Sequence, residues 1–251
     1  MVVINNYLLV VNDIYNHDVQ MIKEIRTKDH LFLTLEKDLF INECLEQYGC
    51  WEKPTIDECK NYLKNDSYVI EVGAHIGSHT VILSDICKDG VIYSFELQKL
   101  IFQLLNANLL LNTCKNVYSY MEAVSDENKI EYIGEVAYEK MSKFNSGLGS
   151  LNMVRGHEGY PINTISLDAK FNKIKKLNLI KIDAEGHEVP VLKGAKELIK
   201  KFKPLILTEF NLKNKQEIID LLPEYKFEDI SYDYELNNLI YPNLMFKGTP
   251  R

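Results

Sequence analysis

From about residue 68 onward, short apolar runs alternate with helix-period segments, and nearly every apolar run stops at a carboxylate. Tyr68-Val69-Ile70 runs into Glu71, Val91-Ile92-Tyr93-Ser94-Phe95 into Glu96, and residues 117–120 toward Glu122. Residues 177–182 end at Asp183, and Pro204-Leu205-Ile206-Leu207-Thr208 at Glu209. Between these runs, apolar positions recur at helical spacing over residues 80–87, 100–111 and 189–200. Strands that are apolar throughout are covered on both faces, so the alternation predicts a doubly wound α/β domain around a mostly parallel sheet. After Phe210 a helix near 215–222 and strands at 226–230 and 244–246 predict a sheet that finishes antiparallel.

The 251 residues hold one such domain with room for an accessory element. Residues 49–251 are assigned to the domain, with a first helix at 55–64. Residues 1–48, strand-like at Leu31-Phe32-Leu33-Thr34-Leu35, form an N-terminal extension. Residues 125–163 interrupt the rhythm with a polar stretch that contains Asn145-Ser146-Gly147-Leu148-Gly149-Ser150, the kind of insertion that serves as a lid. The five cysteines are odd in number and lack a Cys-x-x-Cys pair, which fits reduced thiols in a cytoplasmic protein. Residues 1–11 are apolar but short and without a basic flank, so an early strand is expected there, with neither a secretion signal nor a membrane span.

A formal net charge of -7 disfavours a nucleic-acid partner held on a broad basic face. Lys193, Lys196, Lys200, Lys201 and Lys203 read as the wet side of a helix.

In a doubly wound sheet, ligands bind outside the carboxyl ends of the strands where the strand order reverses. The first turn, Glu71-Val72-Gly73-Ala74-His75-Ile76-Gly77, lacks the Gly-x-Gly of a dinucleotide site. Two glycines four apart, with a carboxylate ahead of them, suit a ligand with an amino-acid end and no pyrophosphate. Glu96 stands about 20 residues beyond, where a carboxylate accepts ribose hydroxyls. Glu122 and Ala123 fall where an adenine edge would lie. Together these positions describe an adenosyl pocket.

At these residues the chain resembles the FkbM family of class I methyltransferases. The resemblance covers roughly residues 49–246. It rests on Gly49-Cys50-Trp51-Glu52, the turn at 71–77, Phe95-Glu96, Asn108-Leu109, Ala123-Val124-Ser125-Asp126 and Asn145-Ser146-Gly147. Most specific is Leu179-Ile180-Lys181-Ile182-Asp183-Ala184-Glu185-Gly186-His187-Glu188, continued by Val191-Leu192-Lys193-Gly194-Ala195. It implies S-adenosyl-L-methionine as cofactor and O-methylation of a small-molecule or glycan acceptor. Glu71, Gly73, Ala74, His75 and Gly77 would hold the methionine part, Glu96 and Leu97 the ribose side, and Glu122, Ala123 and Asp183 the rest of the cofactor pocket. Leu97 stands where the family usually has proline, and His75 where it usually has asparagine.

A hydroxyl acceptor needs its proton removed near the methyl group. Asp183, Glu185 and His187, after the fourth strand, are the candidate bases. His187 alternatively flanks the following helix, and Glu185 and Glu188 alternatively serve that helix's N-terminus. His75 and His79 fall inside the cofactor turn, and no metal site is expected of them. Trp51 is expected to pack. Three other readings remain, one of them a degenerate module that binds cofactor or partner without turnover. A nucleic-acid 2′-O-methyltransferase would want a Lys-Asp-Lys-Glu set, of which Asp183 and Glu209 supply half. A nicotinamide-dependent oxidoreductase is opposed by the missing Gly-x-Gly.

Overall fold

The computed structural model describes residues 21–134, 136, 159–211, 213–236, 239–243 and 245–250. The early strand expected in residues 1–11, the Asn145-Ser146-Gly147 motif and Leu244 lie outside them.

Strands β1 (Ile22–Arg26) and β2 (Leu31–Leu35) pair antiparallel and lead into α1 (Leu39–Tyr48) and α2 (Lys53–Tyr62). The winding then starts: β3 (Tyr68–Val72), α3 (Ser78–Ile86), β4 (Val91–Phe95), α4 (Lys99–Leu111) and β5 (Val117–Tyr120). A small sheet follows, of β6 (Ala123–Val124), β7 (Lys129–Ile133) and β8 (Tyr160–Ile165), with β8 in the middle. After the single turn of α5 (Leu167–Lys170), the chain returns as β9 (Leu179–Ile182), α6 (Glu188–Lys193), α7 (Lys196–Phe202) and β10 (Leu205–Glu209). It ends with α8 (Lys215–Leu221), β11 (Tyr225–Asp229), the antiparallel pair β12 (Tyr232–Leu236) and β13 (Leu239–Asn243), and β14 (Met245–Pro250).

The main sheet has seven strands in the order β11-β14-β10-β9-β3-β4-β5. Its five wound strands run parallel, and β14 lies antiparallel to both β10 and β11, as the pattern predicted. Strand order reverses between β3 and β9, which puts the switch point beside the first glycine turn.

Alternation along each strand divides the side chains between two helix layers. Ile70, Val72, Phe95, Ile180, Ile182 and Ile206 pack against Val191, Leu192, Leu198 and Ile218 on one side. Val69, Ile92, Leu179, Leu205 and Leu207 meet Cys59, Leu63, Leu83 and Cys87 on the other. The strands Lys129–Ile133, Tyr160–Ile165, Tyr232–Leu236 and Leu239–Asn243 are additions to the sequence reading.

One predicted helix is in fact two. Residues 189–200 break at Gly194 and Ala195 because the chain there presses on the strand-end loop after β6. A Cβ on Gly194 would fall 2.0 Å from the Ser125 carbonyl oxygen. The Gly194 carbonyl turns outward to accept from Asp168 N at 2.8 Å, which a continuous helix would not allow. Lys193, Lys196, Lys200, Lys201 and Lys203 are exposed, as expected of a wet face.

The hairpin β1–β2 is fastened to α4 by two asparagines four residues apart. Asn108 Oδ1 accepts from Leu33 N at 2.7 Å while its Nδ2 donates to Leu33 O at 3.0 Å. Asn112 repeats the pattern with Leu31 N and O, at 3.0 and 2.8 Å. Two side-chain amides thus act as a neighbouring strand would. Asn108 Nδ2 also donates to Ile76 O at 2.8 Å, inside the glycine turn.

All five cysteines are free. Burial pushes the thiols of Cys44 and Cys59 up to about 12 and that of Cys87 to about 11, so none of these three is poised as a nucleophile. No helix among the described residues is long and apolar enough to cross a membrane.

Candidate functional site

The turn after β3 is a cradle of backbone. Gly73 N and Ala74 N both donate to Phe95 O, at 3.0 and 2.9 Å, which ties the turn to the end of β4. Gly73 and Gly77 have φ of +79° and +85°, and His75 between them has φ of 52°. That left-handed conformation is uncommon for a residue with a Cβ, and asparagine and histidine are among those that adopt it more readily. A Cβ on Gly73 would lie 1.8 Å from the Asp183 carbonyl oxygen, and one on Gly77 2.7 Å from Leu105 Cδ1. The ends of β3 and β9 therefore touch at the switch point, Asp183 N donating to Val72 O at 3.0 Å.

Glu71 does not stand at the strand's open end, as its place in the sequence predicted. The strand continues through Val72, and the Glu71 side chain points into the sheet face under α2 and α3, wholly buried. Its Oε2 accepts from Thr80 Oγ1 at 2.6 Å and Ser94 Oγ at 3.1 Å. Burial raises its carboxyl above the ordinary value, against the pull of Lys181 and these hydroxyls. Glu71 thus ties β3 to β4 and to α3.

Glu96 does reach the turn. Its Oε2 accepts from His75 N at 3.0 Å and its Oε1 from Gln98 N at 2.7 Å. Burial holds the carboxyl up to about 7 despite these backbone donors. A carboxylate offers about four lone-pair positions, and the backbone of His75, Gln98 and Leu97 leaves part of that capacity for further donors. Two ribose hydroxyls fit that remainder.

Beyond Glu96, Leu97 packs with Ala123, Ile133 and Ile162. The Leu97 carbonyl accepts from the Tyr160 hydroxyl at 3.1 Å, which draws the small sheet against the same edge. The Glu122 carboxylate is engaged by Lys170, 2.6 Å away, whose ammonium also lies 3.9 Å above the Tyr120 ring. Ala123 is buried and Glu122 about one-fifth exposed.

On the β9 side, Asp183 follows a strand with a lysine inside it. Lys181 is 1% exposed and its Nζ lies 3.3 Å from Asp183 Oδ2. Carboxylate oxygens of Glu52, Asp183 and Glu209 come within 4.8 Å of one another, close enough to share a cation, and the Lys181 ammonium is the cation beside them. Burial pulls Lys181 down, but the charges of Asp183, Glu52, Glu71 and Glu209 outweigh it and hold the ammonium above the ordinary lysine value. Glu209 is raised well above its ordinary value by burial, with Asp183, Glu52 and Glu185 adding to the shift. His79 Nε2 lies 3.0 Å from the Trp51 carbonyl and 3.7 Å from Glu52 Oε2. Burial keeps that imidazole neutral, so this contact is not an ion pair. Trp51 packs against the cluster formed by the hairpin and α4, as expected of it.

The loop 183–187 separates the three candidate bases. Glu185, at φ 51°, is partly buried, and burial followed by the charges of Asp183 and Glu188 pushes its carboxyl up to about 8. His187 is buried and turned away toward Ser125, its Nε2 3.1 Å from Ser125 Oγ. Ser125 Oγ also lies 3.1 Å from Asp126 Oδ1, so its one proton serves either that carboxylate or the imidazole. Glu188 is held by Gly186 N and Asn214 Nδ2, both at 2.8 Å, a structural post at the start of α6. Lys181 and Glu52 had no assigned place in the sequence reading. For Lys181 the signal existed: a lysine within an otherwise apolar strand is a buried charge with a partner. Glu52 gave none.

The family model of the methyltransferase FkbM domain matches residues 71–228, more than half of the chain. The methyltransferase FkbM of Methylobacillus flagellatus KT superposes at a TM-score of 0.51 with 16% identity, over 74% of this chain. The chain spans 44% of the length of that protein. Precorrin-6y C5,15-methyltransferase of Geobacter metallireducens GS-15 superposes at 0.48 with 10% identity, covering 80% of this chain and 93% of its own. TYW2 of M. jannaschii, in complex with AdoMet, gives 0.44 and 12%, covering 94% and 89%. At 16% identity the likeness to the Methylobacillus protein is one of fold. No curated protein matches the sequence.

Proposed function

Because the chain belongs to the FkbM family of S-adenosylmethionine-dependent methyltransferases, we propose that it methylates a hydroxyl oxygen of a sugar, a glycan or another small molecule. Gly73, Ala74, His75 and Gly77 receive the methionine end of the cofactor, with Glu71 bracing the turn. Glu96 takes the ribose hydroxyls, while Leu97, Glu122 and Ala123 border the adenine. When bound, the cofactor supplies an electrophilic methyl group on a sulfonium. One observation carries the reading: Gly73 lies directly against Asp183. A group held at the glycine turn is thereby presented beside Asp183, on the side where an acceptor enters.

The protein's task is then alignment, exclusion of water and removal of one proton. Asp183 orients the acceptor hydroxyl and takes its proton. Glu185 is the next candidate, since a carboxyl held up to about 8 suits proton uptake near neutral pH. His187, buried against Ser125, comes third. Free thiols and the acidic balance suit a cytoplasmic enzyme acting on a small acceptor.

A second reading, methylation of a ribose 2′-hydroxyl, gains from Lys181, which stands with Asp183 and Glu209 as such a set requires. The net charge of -7 and the burial of that lysine favour the small acceptor. The family match sets aside the nicotinamide reading. The test is label transfer from S-adenosylmethionine to separate pools of sugars, glycans, lipids and RNA. Label in an alkali-stable methyl ether of a sugar or glycan is expected, and label in RNA alone would establish the second reading.

A further inference from the structure

The sheet face under α2 and α3 carries polar side chains where apolar ones are the rule. Ser94, Glu71 and Lys181 stand opposite one another on β4, β3 and β9, none more than 1% exposed. One step nearer the strand ends, the alternation brings Asp183 and Glu209 to the same face. Glu52, from the turn before α2, closes on them from the helix side and is itself buried. Four carboxyl groups from four segments thus converge, Glu52 and Glu71 buried and Asp183 and Glu209 partly so, and like charges placed there repel unless something compensates. Thr80 and Ser94 both donate to Glu71 Oε2 and leave its buried Oε1 without a hydrogen bond, and the nearby His79 is neutral. The Lys181 ammonium, next to Glu71 in the register and 3.3 Å from Asp183, is the positive charge within the group.

We propose that Lys181 is a positioning residue, the internal counter-ion that holds Glu71, beneath the cofactor turn, and Asp183, on the acceptor side, in fixed relation on one sheet face. The functional part rests on the reading that Asp183 faces the acceptor. The charge relation does not, and can be tested without cofactor. The ammonium stays protonated throughout and takes no part in bond making.

The experiment is a charge cycle on thermal unfolding, with wild type, Lys181→Met, Glu71→Gln and the double variant, all free of ligand. Methionine fills the volume of the lysine stem without its charge. Lys181→Met should lower Tm by roughly 10 °C, the scale of leaving buried charges uncompensated in a domain of this size. Adding Glu71→Gln should restore at least half of that loss. If the side chain acts only by packing, the two losses add, and additivity overturns the proposal.

Should Lys181→Met fail to fold, the double variant decides: it folds if the lysine acts by charge, and its failure to fold overturns the proposal. A second readout separates charge from packing. Lowering pH from 8 to 5.5 should stabilise Lys181→Met relative to wild type, because carboxylates without a counter-ion fold better protonated. Parallel pH dependence in the two proteins also overturns it. No step uses the cofactor, so a failure of the methyl-transfer reading would show only in the label assay.

Discussion

Glu96 permits a prediction with both a magnitude and a sign. Its two oxygens already accept from His75 N and Gln98 N, and lone-pair capacity remains for the ribose. Replacing it by glutamine keeps the shape, removes the charge and turns an NH₂ toward one of the two backbone donors. Hydrogen bonds to a charged acceptor contribute about 1.5–3 kcal/mol, so the Kd for S-adenosylhomocysteine should rise by roughly 10- to 150-fold in Glu96→Gln. The ionised carboxylate is the form that accepts both hydroxyls, and burial holds the group up to about 7 in the free protein. Affinity should therefore be constant above pH 8 and fall about tenfold per unit below pH 6.5, with close to one proton released on binding at pH 6. For folding alone the sign is opposite. A carboxyl raised from 4.5 to about 7 favours the folded state at low pH and gives up that advantage as pH climbs between those values. Isothermal calorimetry in two buffers of different ionisation enthalpy measures affinity and proton release together. A Kd that is flat from pH 5.5 to 8.5 and unchanged in Glu96→Gln, at unchanged Tm, would refute the ribose assignment.

Three further outcomes follow from the geometry. Gly73→Ala places a methyl 1.8 Å from the Asp183 carbonyl oxygen at a φ of +79°, and should cost roughly 3–5 kcal/mol; a Tm within 2 °C of wild type in calorimetric scans would contradict the close packing described. Asp183→Asn should leave S-adenosylhomocysteine affinity within about threefold while methyl transfer falls roughly 10²–10⁴-fold; if transfer persists, the same assay on Glu185→Gln tests the next base. Asn108→Ala strips partners from Leu33 N, Leu33 O and Ile76 O and should lower stability by about 3 kcal/mol, read from urea midpoints; a loss under 0.5 kcal/mol would mean that water replaces all three bonds.

The periodic part of the sequence exposed most of this architecture. Continuous apolar strands such as Leu179–Ile182 need cover on both faces, and that requirement alone dictates a wound parallel sheet. The left-handed glycine turn and the placement of Glu96 against it were legible because both depend on local backbone and on distance along the chain. Glu71 was misplaced by a single residue of strand, which in a pleated structure is enough to send a side chain to the other environment. The break at Gly194 depends on the Ser125 carbonyl, some 70 residues earlier, and so has no local signature. The convergence of Glu52, Glu209 and Asp183 depends on three segments meeting in space.

The double role of Asn108 bears on how this chain can be dissected. Anyone trimming the molecule to its wound domain would cut near residue 49 and discard the hairpin as an appendage. The cut would expose a helix face shaped to receive a strand and would leave the Asn108 carboxamide with one partner, Ile76 O. Freed from Leu33, that amide rotates and releases the Ile76 carbonyl, which lies between the candidate methionine contacts His75 and Gly77. A shortened protein that folds well is expected to bind its cofactor loosely, for a reason that would be sought in vain inside the pocket. The hairpin is in effect the outer jaw of a clamp whose inner jaw is the glycine turn, and α4 is the bar between them.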